Sequence, residues 1–320
     1  MAALGGKTGA RAVADATGPA LSPLPGMVAP ALRRAGGDHS IGAMTGPAPF
    51  RFVHLTDTHI MAGGTWKPRA GDFEFDTEAS LRRVVDAVRT LDPPPAFAVL
   101  GGDLASPDLL DRERVLTAED YEPSYTLLAE ILAGLPCPVR FLVGNHDHRV
   151  AFNRVIRRDA PAPDAPHYYA FDHQGYHFVA LDSQEPGQAG GVVDATQMTW
   201  LRNDLRQHRD QPAMVFVHHH PWPLGLQWID TMSLRNGEEL IGALREHPGI
   251  RWVICGHVHL DQAIQRDGIT VLTTPSTCLQ LSKVSQAAKM LPGPPAFRIV
   301  DVTGDRLSTR VVHLHGSSVR

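Results

Sequence analysis

The feature that most constrains this chain is a short pattern that recurs five times. Each time, an apolar run typical of a buried β-strand leads directly into polar side chains, often through a glycine. In the fullest example, an apolar run that ends at Val143 passes through Gly144 into Asn-His-Asp at 145–147. The other four runs lead to polar residues at 57–59, 101–103, 218–221 and 256–259. Because the sites of α/β sheets lie at the carboxyl ends of strands, the pattern predicts one shared site.

The polar side chains at these strand ends form a set of metal ligands. Asp57 and Asp103 supply carboxylates, Asn145 supplies an amide oxygen, and four of the loops supply imidazoles. This mixture of nitrogen and oxygen donors, without a thiolate, favours Mn, Fe, Zn or Co over Ca. Seven ligands are too many for one ion. They suit two ions if one carboxylate bridges them.

A pair of metal ions predicts chemistry at phosphorus. Two cations about 3.5–4 Å apart form a clamp for in-line displacement, in which one generates hydroxide and both neutralise developing charge. A nucleophilic side chain is not required, and the sequence contains no GxSxG motif. We therefore expect hydrolysis of a phosphoester.

Composition argues against several other classes. The chain has 320 residues, of which 43% are hydrophobic and 20% charged, as in an ordinary globular protein. The net charge of −4 and the absence of a dense Lys/Arg tract argue against a nucleic-acid partner. The sequence contains no run of about 18 apolar residues, so it predicts no membrane span. Three widely spaced cysteines without a CxxC motif fit a reducing cytoplasm.

The chain divides into an extension and one domain. Residues 1–48 are rich in Ala, Gly and Pro without periodicity, which predicts a disordered extension, and Met44 is an alternative start. Strands and helices alternate through residues 49–316, which predicts a single α/β domain with sheets inside and helices outside. Residues 221–237 contain several apolar side chains and predict either a lid or an apolar interface of a homodimer.

The polar motifs resemble a known family. Five of them are similar to the motifs of the calcineurin-like metallophosphoesterases over residues 50–315, and stretches at 218–223, 228–236 and 274–278 resemble the bacterial class III cyclic nucleotide phosphodiesterases. Glycerophosphodiesterases are the neighbouring branch. The five motifs are Asp57-x-His59, Gly102-Asp103, Gly144-Asn145-His146-Asp147, His218 and Gly256-His257-x-His259.

This resemblance implies a fold and a metal centre. The fold is a four-layer αββα sandwich of two mixed sheets with flanking helices. The cofactor is a pair of divalent or trivalent ions (Mn²⁺, Fe²⁺/Fe³⁺ or Zn²⁺) with a bridging hydroxide. The first ion is held by Asp57, His59 and His259, the second by Asn145, His218 and His257, and Asp103 bridges them.

The resemblance also implies catalytic and substrate-binding residues. His146, followed by Asp147, is a non-ligand that stabilises the phosphoryl oxygens or protonates the leaving alkoxide. The residues expected to line the substrate pocket are Asn145, His146, Arg235, Asn236, Ser276 and Thr277. The last four have an alternative interpretation, in which they cap helices and turn the chain.

Two questions stay open at this level. His218 is favoured as the ligand in the His-His-His-Pro stretch, although a one-residue slip to His219 is an alternative. The leading function is hydrolysis of 3′,5′-cyclic AMP to 5′-AMP. The alternatives are a glycerophosphodiesterase or broad phosphodiesterase on the same site, and a non-catalytic binding or scaffold protein.

Overall fold

Two large β-sheets lie face to face in the computed structural model, which describes residues 48–68, 73–284 and 289–315. The predicted extension, residues 1–48, lies outside the described residues apart from Ala48. Among the described residues, no helix combines the length and the apolar character needed to span a membrane.

The first sheet contains five strands. β1, β2 and β3 are parallel to one another, β12 pairs antiparallel with β1, and β13 pairs antiparallel with β12. The strands are β1 (Phe50–Leu55), β2 (Phe97–Gly101), β3 (Val139–Leu142), β12 (Ala296–Thr303) and β13 (Arg306–His313). Their order across the sheet is β13-β12-β1-β2-β3.

The second sheet contains six strands, with four central parallel strands and an antiparallel strand at each edge. The strands are β4 (Tyr169–His173), β5 (Tyr176–Leu181), β6 (Ala213–Val217), β7 (Ile250–Cys255), β8 (Gln262–Arg266) and β9 (Ile269–Thr273). Their order is β4-β5-β6-β7-β9-β8. A separate small sheet pairs β10 (Gln280–Leu281) with β11 (Met290–Leu291).

Helices cover the outer face of each sheet. They are α1 (Thr77–Arg89), α2 (Ala118–Leu132), α3 (Arg149–Phe152), α4 (Ala195–Gln207), α5 (Gln227–Asp230) and α6 (Gly237–Arg245), with a 3₁₀ turn at Pro107–Leu109 and a π turn at Asn153–Arg157. The apolar faces of α1 and α2 pack on the first sheet, and those of α4 and α6 pack on the second. Side chains from both sheets form a third core between them.

Aromatic side chains fill the space between the sheets. Phe52 of β1 is fully buried, and its ring centroid lies 5.8 Å from that of Phe216 on β6 and 5.9 Å from that of Phe178 on β5. Burial of each such ring contributes about 1.5–3 kcal/mol. The succession of helix, sheet, sheet and helix confirms the predicted four-layer αββα sandwich of two mixed sheets.

Local signals explain two differences between predicted and observed elements. The apolar periodicity predicts that the second helix begins at Tyr121, but α2 begins at Ala118, because the backbone N–H of Thr117 donates to Asp120 at 2.7 Å in a capping box. The strand β8 was missed. It is an edge strand with the sequence Gln-Ala-Ile-Gln-Arg, which lacks a clear apolar pattern.

The segment at residues 221–237, hereafter the lid segment, packs on its own domain. Trp222 and Ile229 are almost completely buried. Ile229, in α5, forms an apolar cluster with Val258 and Leu260, which follow β7. This packing matches the lid alternative more closely than the interface alternative, and a homodimer stays a prediction.

A buried histidine joins the β4–β5 hairpin to α4. In His177, Nδ1 lies 2.7 Å from a carboxylate oxygen of Asp172, and Nε2 lies 2.7 Å from one of Asp204. The ring of His208 stacks on it with the centroids 3.8 Å apart. Asp172, His177 and His208 are close enough to hold a metal ion. However, both nitrogens of His177 already face carboxylates, so the group is an ion-paired histidine.

Burial alone would lower the pKa of His177, but Asp204 and Asp172 raise it above its ordinary value. Because the folded pKa exceeds the unfolded one, the ion pairs stabilise the protein fully below about pH 6.5, and this stability is lost as the pH rises through the folded pKa. We therefore expect His177→Gln to lower the free energy of unfolding at about pH 6 more than at about pH 9.

Urea titrations of wild type and variant at both pH values measure this difference. His313→Gln, at an exposed histidine of β13, is the control. An equal loss of stability at the two pH values would contradict the prediction.

Candidate metal centre

The predicted ligands meet where the strands end, and most of them have an unusual backbone. Five of the seven have a left-handed φ between 43° and 67°. Non-glycine residues adopt this region rarely, and each such residue costs about 1–3 kcal/mol unless its surroundings hold it. The five are Asp57, His59, Asp103, His257 and His259. Such clustering is typical of functional sites.

One group of ligands contains Asp57, His59, Asp103 and His259, all of which are buried. The Nε2 atom of His259 lies 3.1 Å from Oδ1 of Asp57 and 3.2 Å from Nε2 of His59. The Nε2 atom of His59 lies 3.9 Å from Oδ2 of Asp103. These four side chains therefore point at a common position.

A second group lies on the other side of Asp103. The Nε2 atom of His218 lies 3.4 Å from Oδ2 of Asp103 and 3.3 Å from Oδ1 of Asn145. The ring of His257 lies beside that of His218, with the centroids 5.2 Å apart. Asp103 is thus adjacent to both groups, as a bridging carboxylate must be.

The outer ring nitrogens of the histidines are fixed by the protein. Nδ1 of His218 donates to the carbonyl of Gly101 at 2.7 Å, and Nδ1 of His259 donates to that of Leu279 at 2.6 Å. A carbonyl only accepts, so Nδ1 carries a proton, and in the neutral imidazole the lone pair is on Nε2. This arrangement is typical of metal-bound histidines.

The donor set fits a pair of metal ions. Nε2 of His257 is buried and has no hydrogen-bond partner among the described residues, which is rare for a polar atom in a folded protein. Two imidazole nitrogens, in His59 and His259, also lie 3.2 Å apart. A cation between these donors would satisfy them.

Electrostatics favour ionised carboxylates at this position. Burial alone would raise the pKa of Asp103, but His218, His146 and His59 lower it well below its usual range. Burial likewise tends to lower the pKa of His218, while Asp103 and Asp57 raise it to about 9. The carboxylate of Asp103 therefore stays ionised although it is buried away from water.

A glycine permits the close approach of the two sheets. Gly102 has φ +97°, and a Cβ atom there would lie 2.5 Å from Nδ1 of His218. Any other residue would push His218 away from Asp103. The Gly-Asp motif thus requires glycine for steric reasons.

The environment of His219 bears on the choice left open above. Its Nδ1 lies 2.8 Å from the hydroxyl of Ser183, and its Nε2 lies 3.2 Å from the carbonyl of Ala189. Both nitrogens are therefore occupied. His218, with Nε2 facing Asp103, fits the ligand role better.

His146 is placed where a substrate can reach it. Its side chain is 31% exposed, and its ring centroid lies 5.1 Å from that of His59. Nδ1 lies 3.1 Å from a carboxylate oxygen of Asp108, a residue that the sequence analysis missed. Burial alone would lower the pKa of His146, but Asp103 and Asp108 raise it to about 9. The sequence signal that could have identified Asp108 was a second carboxylate in the loop that follows Gly102-Asp103.

Asp147 is held by hydrogen bonds within the fold, and its catalytic role stays a prediction. Its carboxylate accepts hydrogen bonds from the backbone N–H groups of Gly144, Leu104 and Ala105, and from the hydroxyl of Tyr125 at 2.8 Å. Four donors occupy this buried group. Asp147 therefore joins the loop that carries Asn145 to the loop that carries Asp103.

Ser276 and Thr277 hydrogen-bond to the backbone of the ligand loop that follows β1. Both are fully buried, and the hydroxyl of Ser276 donates to the carbonyl of Asp57 at 2.7 Å and accepts from the backbone N–H of Leu279 at 2.8 Å. The backbone N–H of Thr277 donates to the carbonyl of Thr56. This segment holds the backbone of Asp57 and the carbonyl that fixes His259, and substrate contact by Ser276 and Thr277 stays a prediction.

Arg235 and Asn236 are also used within the fold. Asn236 exchanges two hydrogen bonds with the backbone of Val193, at 2.8 and 3.1 Å, and its contact with substrate stays a prediction. Arg235 is exposed and forms an ion pair with Glu185. Of the expected pocket residues, Asn145 and His146 adjoin the metal groups.

We expect Asp103→Ala to lose both metal ions, because the carboxylate adjoins both ligand groups and accepts from the backbone N–H of His146 at 2.8 Å. Elemental analysis of protein reconstituted with Mn²⁺ measures the metal content. Asp111→Ala, which removes an exposed carboxylate, is the control. Full occupancy by two ions in Asp103→Ala would eliminate the bridging role.

Comparison with known proteins identifies the family. The calcineurin-like phosphoesterase family model matches residues 50–261. The 3′,5′-cyclic adenosine monophosphate phosphodiesterase CpdA of Pseudomonas aeruginosa is 30% identical over 260 residues, covering 81% of this chain and 88% of the relative. The glycerophosphodiester phosphodiesterase GpdQ of Enterobacter lignolyticus is 27% identical over 232 residues, covering 72% and 78% respectively.

A solved structure shows the same fold. The dimetal phosphatase from Danio rerio superimposes with a TM-score of 0.59 at 14% identity, covering 83% of this chain and 99% of that one. Calcineurin-like phosphoesterases use a dinuclear metal centre, and this structure has two buried clusters of metal-binding side chains, Asp57, His59, Asp103 and His259 in one and His218, His219 and His257 in the other. The chain belongs to the calcineurin-like phosphoesterase family.

Proposed function

We propose that this protein hydrolyses 3′,5′-cyclic AMP to 5′-AMP. Family membership makes it a hydrolase of phosphate esters, and the relatives named as phosphodiesterases make its substrates phosphodiesters. Two ligand groups meet at Asp103, and this arrangement is the observation that supports hydrolysis of a phosphoester. The similarity to CpdA over most of both chains supports the cyclic nucleotide. The proposal assigns catalysis to one domain at 49–316, in the cytoplasm.

The seven ligands would divide between two ions. Asp57, His59 and His259 would hold one, and Asn145, His218 and His257 the other, with Asp103 shared. Mn, Fe or Zn ions bound here would supply Lewis acidity and a water of lowered pKa. Availability decides among these metals as much as affinity does.

His146 would act on the leaving group. Because Nδ1 is paired with Asp108, the proton that can be transferred is on Nε2. Water first loses a proton to solvent. As its oxygen bonds to phosphorus and the bond to the 3′ oxygen breaks, the Nε2 proton passes to the 3′ oxygen, and His146 then takes up a proton from solvent. Asp108 orients the ring, and a positioned imidazole of this kind contributes about 10²–10⁴-fold to the rate.

The second candidate is a glycerophosphodiesterase, which the similarity to GpdQ favours. The ligand set recognises phosphorus and does not distinguish the alcohols attached to it. Ser276 and Asn236 hydrogen-bond to backbone groups of the fold, and adenosine contacts by the predicted pocket residues stay a prediction. A non-catalytic scaffold is disfavoured because every ligand position is filled.

We expect kcat/KM of the Mn²⁺-reconstituted enzyme on 3′,5′-cyclic AMP to exceed about 10⁴ M⁻¹s⁻¹, within the ordinary enzyme range. Activity on glycerophosphoethanolamine should be much weaker. Steady-state kinetics on both substrates, run side by side with product analysis, measure this ranking. The reverse ranking would assign the protein to the second candidate and leave the metal centre unchanged.

We expect His146→Gln to keep both metal ions and to lower kcat by about 10²–10⁴-fold, because only the proton donor is lost. Metal content and kcat are measured on the same preparation. His148→Gln is a matched control in the same loop, because the ring of His148 packs on Tyr121. An unchanged kcat in His146→Gln would remove His146 from the mechanism.

A further inference from the structure

The segment that carries His257 and His259 has a strained backbone. Both residues are left-handed, with φ of 67° and 53°, and the buried Val258 lies between them. Neither histidine can relax without displacing a ring from the metal centre. Strained conformations of this kind persist only where surrounding contacts over-determine them.

On the inner side of this segment, hydrogen bonds hold the two histidines, and the backbone N–H of Val258 donates to the carbonyl of Gly256 at 2.7 Å. The carboxylate of Asp57 accepts from the backbone N–H of His257 at 3.1 Å, and the carbonyl of Leu279 accepts from Nδ1 of His259. The side chain of Val258 instead faces the lid segment, where it packs with Ile229 and with Leu260. Ile229 is 2% exposed and lies in α5.

A second contact reaches the same segment through His220. This ring is fully buried and lies nearly parallel to that of His257, with the centroids 5.9 Å apart. Neither nitrogen of His220 has a hydrogen-bond partner among the described residues. A carboxylate oxygen of Asp230 lies 3.6 Å from Nε2. Asp230 also closes its own turn by accepting from the backbone N–H of Leu224 at 2.7 Å.

The lid segment is fixed at its far end. The backbone N–H of Leu234 donates to the carbonyl of His220 at 3.0 Å, and that of Arg235 donates to Gly191 at 2.9 Å. Asn236 is bound to Val193. Because its far end is held, the lid segment can keep in place the residues on which α5 packs, Val258 and Leu260.

We propose that Ile229 and Asp230 are positioning residues that hold His257 and His259 in their metal-binding conformation. Ile229 acts through Val258, and Asp230 acts through His220 and the ring of His257. The inference rests on the proposed ligand roles of His257 and His259. The lid segment is then a clamp on the metal centre, and neither residue touches substrate.

The test is the affinity of the full-length apoprotein for Mn²⁺, measured by competition with a fluorescent chelator. We expect Ile229→Ala and Asp230→Asn each to weaken binding by about 10- to 100-fold, as is usual when residues behind metal ligands are changed. The kcat should recover toward the wild-type value at saturating Mn²⁺, because the ligands and His146 are intact.

Two control variants separate positioning from general stability. Gln227→Ala changes an exposed residue of the same short helix and should leave Mn²⁺ affinity unchanged. Ile131→Ala removes the same atoms as Ile229→Ala from a buried site on α2, in the other helix layer. It should lower the free energy of unfolding without changing Mn²⁺ affinity. Ile229→Val keeps most of the contact with Val258 and should restore binding.

The outcomes distinguish this inference from the proposed function. Wild-type affinity in both Ile229→Ala and Asp230→Asn, with two ions bound and cyclic AMP hydrolysed, would overturn the clamp alone. An equal loss of affinity in Ile131→Ala would also overturn it, because the effect would then follow stability. A wild-type protein that binds none of Mn²⁺, Fe²⁺ and Zn²⁺ would instead overturn the proposed function.

Discussion

Five residues at strand ends adopt a left-handed backbone, and the metal centre depends on this conformation being maintained. Asp57, His59, Asp103, His257 and His259 turn the chain sharply after β1, β2 and β7, so that carboxylates and imidazoles from two sheets face one position. The backbone cost of these turns is offset by burial and by hydrogen bonds from residues that never face the site. Stability and chemistry are therefore linked throughout the domain.

Many buried polar side chains around the site hydrogen-bond to backbone groups, and the ligand side chains stay free to bind metal. Asp147 accepts four hydrogen bonds that connect two ligand loops. Ser276 fixes Asp57 and, through Leu279, His259. The amide of Gln184 donates to the carbonyls of Gly144 and Asp147, which steadies the loop with Asn145 and His146. Each contact replaces water around a buried polar group, as a dry metal site requires.

Sequence analysis succeeded where the determinants are local. Apolar runs that end in glycine and polar residues predicted β1, β2, β3, β6 and β7, because a strand of four to six residues has a clear composition. It missed β8, which is an edge strand without an apolar face. It also missed the first turn of α2, where a capping box precedes the apolar periodicity. Those elements depend on a neighbouring strand or on single hydrogen bonds.

The sequence by itself determined the types of donor, their spacing and hence the class of chemistry, because these follow from short motifs at strand ends. Only the tertiary structure decided which polar residues face the site. Ser276 meets Asp57 across 219 positions, His146 meets Asp108 across 38, and the two nitrogens of His219 are occupied by groups about 30 residues away. Long-range contacts of this kind arise from sheet order and helix packing, for which single motifs carry no signal.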